Sequence, residues 1–183
     1  MNDWMTKRHL FPAHERYRFR LFEDNDLADL RDLYGHPESV LYLSVSGRTW
    51  TDDDLLRQAA TWRGEFEAFG YTKWRVDTAD GEFVGRAGIS PLWGDPTQAE
   101  MGYCIRREMW GRGIATDLAT IVRDWAWENT TLPHLIGMTY PGNESSQRVL
   151  RKIGMVSTGS HVLHGETFDF FRLDRPNARM SQR

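Results

Sequence analysis

The sequence predicts a mixed α+β fold in which helices cover a mostly antiparallel twisted sheet. The clearest helical pattern lies in residues 115–128, where apolar side chains recur at spacings of three and four. Strand-like runs lie on both sides of it, and Asp80-Gly81 between two of them is a hairpin signal. The order of elements is strand, two helices, three strands, helix, strand, helix and two strands, which fits this fold class.

The strands are predicted from alternating or continuously apolar runs. They cover residues 17–22, 73–78, 82–90, 98–105, 135–140, 158–163 and 167–173. The last two are expected to pair across His164-Gly165.

The helices are predicted from apolar periodicity and from end signals. Asp24 is expected to cap a first helix over residues 27–34, and His36-Pro37 to stop it. A second helix begins after Thr51 as N-cap and ends at Gly70. Two more cover residues 115–128 and 143–152. The side chains of the second helix that are expected to face inward are Leu55, Ala59, Trp62, Phe66 and Phe69.

Length and composition favour one folded domain. The chain has 183 residues, of which 40% are hydrophobic and eight are Trp, enough for a full core. We expect a loose N-terminal arm over residues 1–15, a single domain over 16–173 and a polar tail over 174–183. A net charge of −3 argues against general nucleic-acid binding.

Several features predict a cytoplasmic protein. Residues 1–15 have no apolar signal-peptide core, and no apolar run approaches the ~20 residues that span a bilayer. Cys104 is the single cysteine, which excludes an internal disulfide and suits a reducing compartment. We therefore expect no membrane partner, and the sparse histidines give no metal site.

The segment Trp110–Thr116 joins the fourth predicted strand to the third predicted helix. Gly111 and Gly113 leave backbone N–H groups uncovered at the positive end of that helix, which suits a phosphate. A plain strand-to-helix turn without a ligand is the alternative reading of this loop. A P-loop is excluded because the chain has no Gly-Lys pair. A dinucleotide fingerprint is disfavoured because Thr116 stands at its third glycine position.

Three motifs together resemble the GNAT superfamily of N-acetyltransferases, most closely its RimJ/RimL-like branch. The loop W-G-R-G-I-A at residues 110–115 is similar to the family's Q/R-x-x-G-x-G/A signature, with Trp110 in the first position. Residues 143–155 resemble N-x-x-S-x-x-V-L-x-K-x-G-F, with Met155 for Phe. Residues 100–103 resemble E-x-G-Y. The resemblance spans residues 16–173 and implies the GNAT fold and acetyl-CoA as cosubstrate.

The resemblance also implies a cofactor site. Cys104, Ile105 and Arg106 would present backbone groups to the pantetheine arm. Asn143 would contact that arm, act as a helix N-cap, or do both. The pyrophosphate would be held by backbone N–H groups of Gly111, Arg112, Gly113, Ile114, Ala115 and Thr116. The Arg112 side chain would add a charge or lie in solvent.

The resemblance implies further residues for the transfer step. Ser146 matches a serine near the cofactor sulfur and would protonate the leaving thiolate, with a helix first-turn hydroxyl as the alternative. Leu150 stands where many relatives have a tyrosine acid. Glu100 and His161 are the candidate bases, and Glu100 is slightly favoured. The alternatives are a solvated or ion-paired Glu100 and a surface histidine. A base is dispensable where the amine arrives neutral.

The leading hypothesis is an N-acetyltransferase that moves an acetyl group from acetyl-CoA directly to a primary amine. A non-catalytic coenzyme A-binding module is the second hypothesis, and a nucleotide-binding protein is the third. Candidate acceptors are a protein N-terminus, a polyamine or amino acid, and an aminated antibiotic. Residues 39–50 and 90–97 are expected to form the walls of the acceptor pocket. Trp50, Trp74 and Trp93 are expected either to line this pocket or to belong to the core. A homodimer through C-terminal edge strands is compatible with the sequence.

Overall fold

The computed structural model describes residues 11–36, 42, 49–163 and 165–176. Its sheet has seven strands in the order β1-β2-β3-β4-β5-β7-β6. The strands are β1 Tyr17–Arg20, β2 Lys73–Thr78, β3 Phe83–Leu92, β4 Asp95–Ile105, β5 His134–Thr139, β6 Val156–Leu163 and β7 Glu166–Asp174.

The described α-helices lie between the strands in the chain. They are α1 Leu27–Gly35, α2 Asp52–Phe69, α3 Ile114–Asn129 and α4 Glu144–Lys152. Short 3-10 turns, Asp24–Asp26 and Arg107–Met109, precede α1 and α3. No helix in the described ranges combines the length and the apolar character needed to cross a membrane. The predicted fold class and element order are confirmed.

The pairing of β4 with β5 is the one parallel pairing of this sheet, and it is short. It runs over Ala99–Met101 and Leu135–Gly137. Beyond Met101, β4 stays paired with β3 as far as Ile105, whereas β5 is paired with β7 on its other side. The two strands therefore part in the middle of the sheet, and a gap opens between their carboxyl ends.

The two faces of the sheet differ in polarity because side chains alternate along each strand. One face carries Trp74, Ala87 and Met101, which form the main core with Leu118 and Val122 of α3. The opposite face lies under α1 and α2 and carries charged and polar groups at the alternate positions. Its central members are the charged Lys73, Arg75, Arg86 and Glu100 and the polar Ser90. A charged layer is thus buried between the sheet and the first two helices.

Local signals explain where α2 starts and stops. Thr51 Oγ1 accepts a hydrogen bond from the Asp54 amide, and Asp54 accepts one in return from the Thr51 amide, which forms a capping box. Gly70 ends the helix with a φ of 76°. The prediction that Phe69 faces inward is wrong, since its side chain is 39% exposed. It lies on the last turn, where the apolar stripe has left the sheet, and packs beside Tyr71.

Two further sequence predictions need correction. Asp24 does not cap α1. It lies in the preceding 3-10 turn and pairs with Arg63, while Asp26 occupies the N-cap position of the helix. The segment 90–97 is not a long loop at the acceptor pocket as predicted, because β3 and β4 are joined by a two-residue turn at Trp93 and Gly94. Both residues have positive φ, 52° and 79°, as a type I′ hairpin requires.

The ends of the described chain pack onto the domain. Phe11 stacks on Phe66 with ring centroids 5.3 Å apart. Arg175 donates hydrogen bonds to the carbonyl oxygens of Trp127, Thr130 and Leu132. Residues 1–10, Pro37, His164 and residues 177–183 lie outside the described residues, so the predictions that concern them are not addressed by the structure. The antiparallel pairing of β6 with β7 is confirmed.

Gly88 offers a test of how closely the strands pack at the charged face. A Cβ at this position would lie 2.0 Å from the carbonyl oxygen of Thr72, a backbone atom. Gly88→Ala should therefore lower the free energy of unfolding by about 3 kcal/mol or more in urea denaturation. Gly64→Ala is the matched control. Its Cβ would meet nothing within 4 Å on an exposed helix face, and it should stabilise the protein by about 1 kcal/mol. Equal effects of the two changes would contradict this register.

Candidate active site

A groove of about 970 Å³ opens where β4 and β5 part. The first turns of α3 and α4 form its two rims, and residues of β2 and β3 close its inner end. Its lining residues include Lys73, Arg86, Glu100, Gly102, Tyr103, Cys104, Ile105, Gly111, Gly113, Ile114, Ala115, Thr116, Thr139, Asn143 and Ser146. Most residues predicted to form the site are thus brought into one continuous space.

The glycine loop forms one rim as an open helix N-terminus. Gly111 and Gly113 adopt φ values of 77° and 79°, which a residue with a side chain adopts only with strain. The amides of Thr116 and Asp117 donate to the Gly113 carbonyl. The amides of Ile114 and Ala115 precede the first helical hydrogen bond and can therefore donate to a ligand. This arrangement suits an anion.

Trp110 and Arg112 have different surroundings in this loop. Trp110 Nε1 donates a hydrogen bond of 2.7 Å to the Ile105 carbonyl and so ties the loop to the end of β4. The indole at the first position of the loop motif therefore stabilises the conformation of the loop. Arg112 is exposed, donates to the Glu108 carbonyl and does not line the groove. This placement agrees with the alternative of a solvated arginine.

The end of β4 forms the floor of the groove. Cys104 and Ile105 line it, whereas Arg106 does not. The Arg106 amide donates to the Val84 carbonyl, and its guanidinium pairs with Asp32 at 2.8 Å. Burial raises the pKa of the Cys104 thiol to about 11. The thiolate is therefore scarce at neutral pH, which agrees with a buried strand cysteine and not with an acyl-carrying nucleophile.

The start of α4 forms the other rim. Asn143 Oδ1 accepts the Ser146 amide at 3.1 Å, so Asn143 is the N-cap of this helix while it also lines the groove. The Ser146 hydroxyl lies 3.0 Å from the Tyr103 hydroxyl, which also donates to the Ser146 carbonyl at 3.1 Å. Burial raises the pKa of Tyr103, so its phenol stays neutral. Leu150 is buried behind this pair.

The inner end of the groove is charged. Glu100 Oε2 accepts a hydrogen bond of 2.5 Å from Lys73 Nζ, and both side chains are mostly buried. Glu100 lies in the middle of β4 rather than near its start, opposite Ser90 of β3. Arg86 lies beside this pair, at the position where Gly102 has no side chain. A carboxylate and two cations therefore face the same space.

His161 is not brought into this site. It is exposed on β6, where its ring meets the edge of Phe170 at 5.1 Å, and it does not line the groove. Trp74 is fully buried in the core, and Trp93 is 62% exposed on the hairpin turn. Trp50 packs against Tyr34. Residues 39–50 lie outside the described residues except for Tyr42, Thr49 and Trp50; of these Tyr42 lines the groove.

Sequence reasoning missed Lys73, Arg86, Tyr103 and Thr139 as site residues. Tyr103 was within reach, because it ends the E-x-G-Y motif. Lys73 stands in β2, where charged and apolar residues alternate, and Arg86 is the one charged residue of β3, which is mostly apolar. Charged residues in such strands are a signal for buried charge. The Thr139 hydroxyl is buried, lines the groove and has no hydrogen-bond partner among the described residues. Such an orphaned group fits a site that is completed by a polar ligand.

The groove fits a coenzyme A-type cosubstrate on these observations. The free amides at the start of α3 suit a phosphate. The edge of β4 that is not paired with β5 suits an extended amide chain, and the Thr139 hydroxyl can make a polar contact. Of the cofactor residues expected from the sequence, Cys104, Ile105, Gly111, Gly113, Ile114, Ala115, Thr116, Asn143 and Ser146 line this groove. In the described ranges, no three His, Cys, Asp or Glu side chains gather in a way that could hold a metal ion.

Gly113 tests the anion-binding rim. Gly113→Asp should weaken acetyl-CoA binding by roughly a hundredfold or more in isothermal titration, because it places a carboxylate against phosphate. Gly113→Asn is the matched control, since asparagine tolerates a positive φ and differs from aspartate only in charge. It should lose much less affinity. If both variants bind acetyl-CoA as the unaltered protein does, the loop does not hold the phosphates.

A model of the acetyltransferase (GNAT) domain family matches residues 16–156. A Bacillus subtilis protein, the uncharacterized protein YkkB, is 32% identical over 145 residues, which are 77% of this chain and 82% of that protein. The FsC-acetyl coenzyme A-N(2)-transacetylase of Aspergillus fumigatus is 29% identical over 176 residues, 90% of this chain and 65% of that protein.

A solved structure of AAC(6')-Ib in complex with ribostamycin and coenzyme A has the same fold. It superimposes with a TM-score of 0.76 at 16% identity and covers 92% of this chain and 98% of its own. The likeness supports the fold. Since the family match spans more than half of the sequence and agrees with the fold and the groove, this chain belongs to the GNAT family of acetyltransferases and is an acyltransferase.

Proposed function

We propose that this protein transfers the acetyl group of acetyl-CoA directly to a primary amine, without a covalent enzyme intermediate. One observation carries the proposal. A single groove joins the open N-terminus of α3 to the Ser146–Tyr103 pair and then to Glu100. The groups that would bind phosphate, stabilise the thiolate and accept the proton thus follow one another along the groove, from its rim to its inner end.

The proposed cosubstrate site uses backbone groups more than side chains. The pyrophosphate meets the amides of Ile114 and Ala115 at the positive end of α3. The pantetheine arm lies along β4 beyond Met101, where the strand edge has no partner in β5. An extended amide chain can pair with such an edge as an added strand does. When bound, acetyl-CoA supplies an activated acyl group.

The chemistry at the inner end follows from the side chains. The amine nitrogen attacks the thioester carbonyl carbon, a C–N bond forms and the C–S bond breaks. Glu100 takes the proton that the amine loses. The Ser146 hydroxyl, held by Tyr103, donates to the departing thiolate. Cys104 takes no part, because its thiol is protonated.

The acceptor and the branch of the family are part of this proposal. The RimJ/RimL-like motifs favour a protein N-terminus, whereas the transacetylase relative and the aminoglycoside-bound structure favour a small amine. The inner end of the groove is lined by Lys73, Arg86 and Glu100, and these charged side chains favour a small polar amine. We also propose a cytoplasmic location and a homodimer through β6. This edge strand exposes Val156 and Val162, each 69% accessible.

Calorimetric titration with acetyl-CoA, with NAD and ATP as controls, tests the proposed function. We expect acetyl-CoA alone to bind and to be consumed, with thiol release, when a suitable amine is added. Binding without turnover of any amine would favour the non-catalytic coenzyme A-binding module. Binding of ATP or NAD in place of acetyl-CoA would favour the nucleotide-binding alternative.

Glu100→Gln tests the proposed base. It keeps the shape of the side chain but cannot accept the proton, so kcat should fall by roughly 10²- to 10⁴-fold while acetyl-CoA affinity is unchanged. The deficit should shrink at high pH, where more of the amine is neutral. Glu128→Gln, on the exposed surface of α3, is the control and should have full activity. Unaltered kcat in Glu100→Gln would remove Glu100 as the base.

A further inference from the structure

Arg86 is a buried cation that the reaction described above does not use. It is 8% exposed, lies on β3 and faces the inner end of the groove. Its Nε donates to the Tyr34 hydroxyl at 2.6 Å. Its Nη1 is buried and has no hydrogen-bond partner among the described residues. A buried guanidinium nitrogen with nothing to donate to is costly, so its position calls for an explanation.

Arg75, the cross-strand neighbour of Arg86, shows how the charge of a buried arginine is usually compensated. The two residues are paired directly between β2 and β3. Arg75 is equally buried but forms ion pairs with Asp26, Asp29 and Asp77. Arg86 forms no such pair with any described carboxylate. The fold therefore neutralises one of two adjacent arginines and leaves the other with an unused donor.

The other neighbours of Arg86 do not neutralise it. Burial raises the pKa of Tyr34 to about 12, so its phenol is uncharged at neutral pH. The guanidinium lies 5.7 Å and 5.5 Å from the ring centroids of Tyr34 and Trp62, contacts that compensate only part of the lost hydration. The carboxylate of Glu100 already accepts the Lys73 ammonium. The inner pocket thus has two cations and one anion.

Gly102 lets the two cations lie close to the backbone of β4. A Cβ at this position would lie 2.6 Å from Lys73 Cε, 2.9 Å from Lys73 Nζ and 3.3 Å from Arg86 Nη1. The room that a side chain would need is therefore taken by the end of Lys73, with Arg86 next to it. Both cations line the inner end of the groove together with Glu100, so a ligand there can meet a positive group and a negative group at the same time.

We infer that the acceptor carries a free carboxylate close to its amine, as an amino acid does, and that Arg86 binds this carboxylate beside Gly102. The inference rests on the proposed function and narrows its acceptor class. The amine lies at Glu100, and the carboxylate completes the hydrogen bonding of Arg86 Nη1. A protein N-terminus has an amide in place of the carboxylate and leaves Arg86 unsatisfied, so it is a poor acceptor. Polyamines and aminoglycosides fail for the same reason.

Matched acceptors test this inference by thiol release from acetyl-CoA. The panel is the twenty common amino acids, with phenylalanine, lysine and glycine each compared with its carboxamide and its decarboxylated amine. We expect at least one amino acid to be acetylated and its analogues without the carboxylate to have kcat/KM values lower by roughly tenfold to a hundredfold. If amides and plain amines are equally good or better, or no amino acid reacts, the inference is overturned. Acetyl-CoA binding and turnover of other amines would still uphold the proposed function.

Two variants assign the discrimination to Arg86. Arg86→Met should raise KM for the amino acid by roughly tenfold or more and abolish the preference over the carboxamide, with acetyl-CoA affinity unaltered. Arg86→Gln removes the charge but keeps a side-chain amide donor, and should cause the same loss of preference. It decides the question if Arg86→Met does not fold. Arg57→Met, on an exposed helix face, is the control. Retained preference in a folded Arg86→Met protein, or in Arg86→Gln, would overturn the inference.

Discussion

The early parting of β4 from β5 is the constraint on which the rest of the structure depends. Two parallel strands in the middle of a sheet ordinarily pair along their whole length, because unpaired buried backbone groups are costly. Here the pairing stops at Met101 and Gly137. Beyond this point β4 pairs with β3 and β5 pairs with β7, and these two pairings hold the strands apart. The gap between them is the groove, and both helix N-termini that form its rims follow directly from these two strands.

The second organising feature is the charged layer beneath α1 and α2. Globular sheets usually bury apolar side chains on a helix-covered face, yet this one places Lys73, Arg75, Arg86 and Glu100 there. Most of these charges are compensated by partners from α1 or from neighbouring strands. Among the described residues, compensation is incomplete at Arg86, which lines the groove. The buried charges of this layer are therefore balanced away from the groove, and an excess of positive charge remains beside it.

Local patterns predicted the parts of this structure that local forces determine. The strand Lys73–Thr78, the capping box at Thr51 and the glycine loop before α3 are all encoded by neighbouring residues. The hairpin turn at Trp93 was not recognised, because tryptophan rarely adopts a positive φ and gives no turn signal. The sequence favoured Glu100 over His161 only slightly, because which of the two lies in the groove depends on the strands that flank each residue. Arg86 Nη1 has no hydrogen-bond partner in the described part of the chain. Its surroundings depend on the docking of α1 and α2 and on the β2–β3–β4 register, which no short motif records.

The N-cap at Asn143 has a consequence for how a ligand is recognised. A carboxamide has one oxygen that accepts hydrogen bonds and one nitrogen that donates them. The oxygen of Asn143 is committed to the Ser146 amide, where it holds the first turn of α4. The cap thereby fixes which way round the carboxamide lies, because turning it over would take the oxygen away from the Ser146 amide. The nitrogen is left with both of its N–H groups to donate, and the position of this donor beside the groove is set by the helix that Asn143 caps.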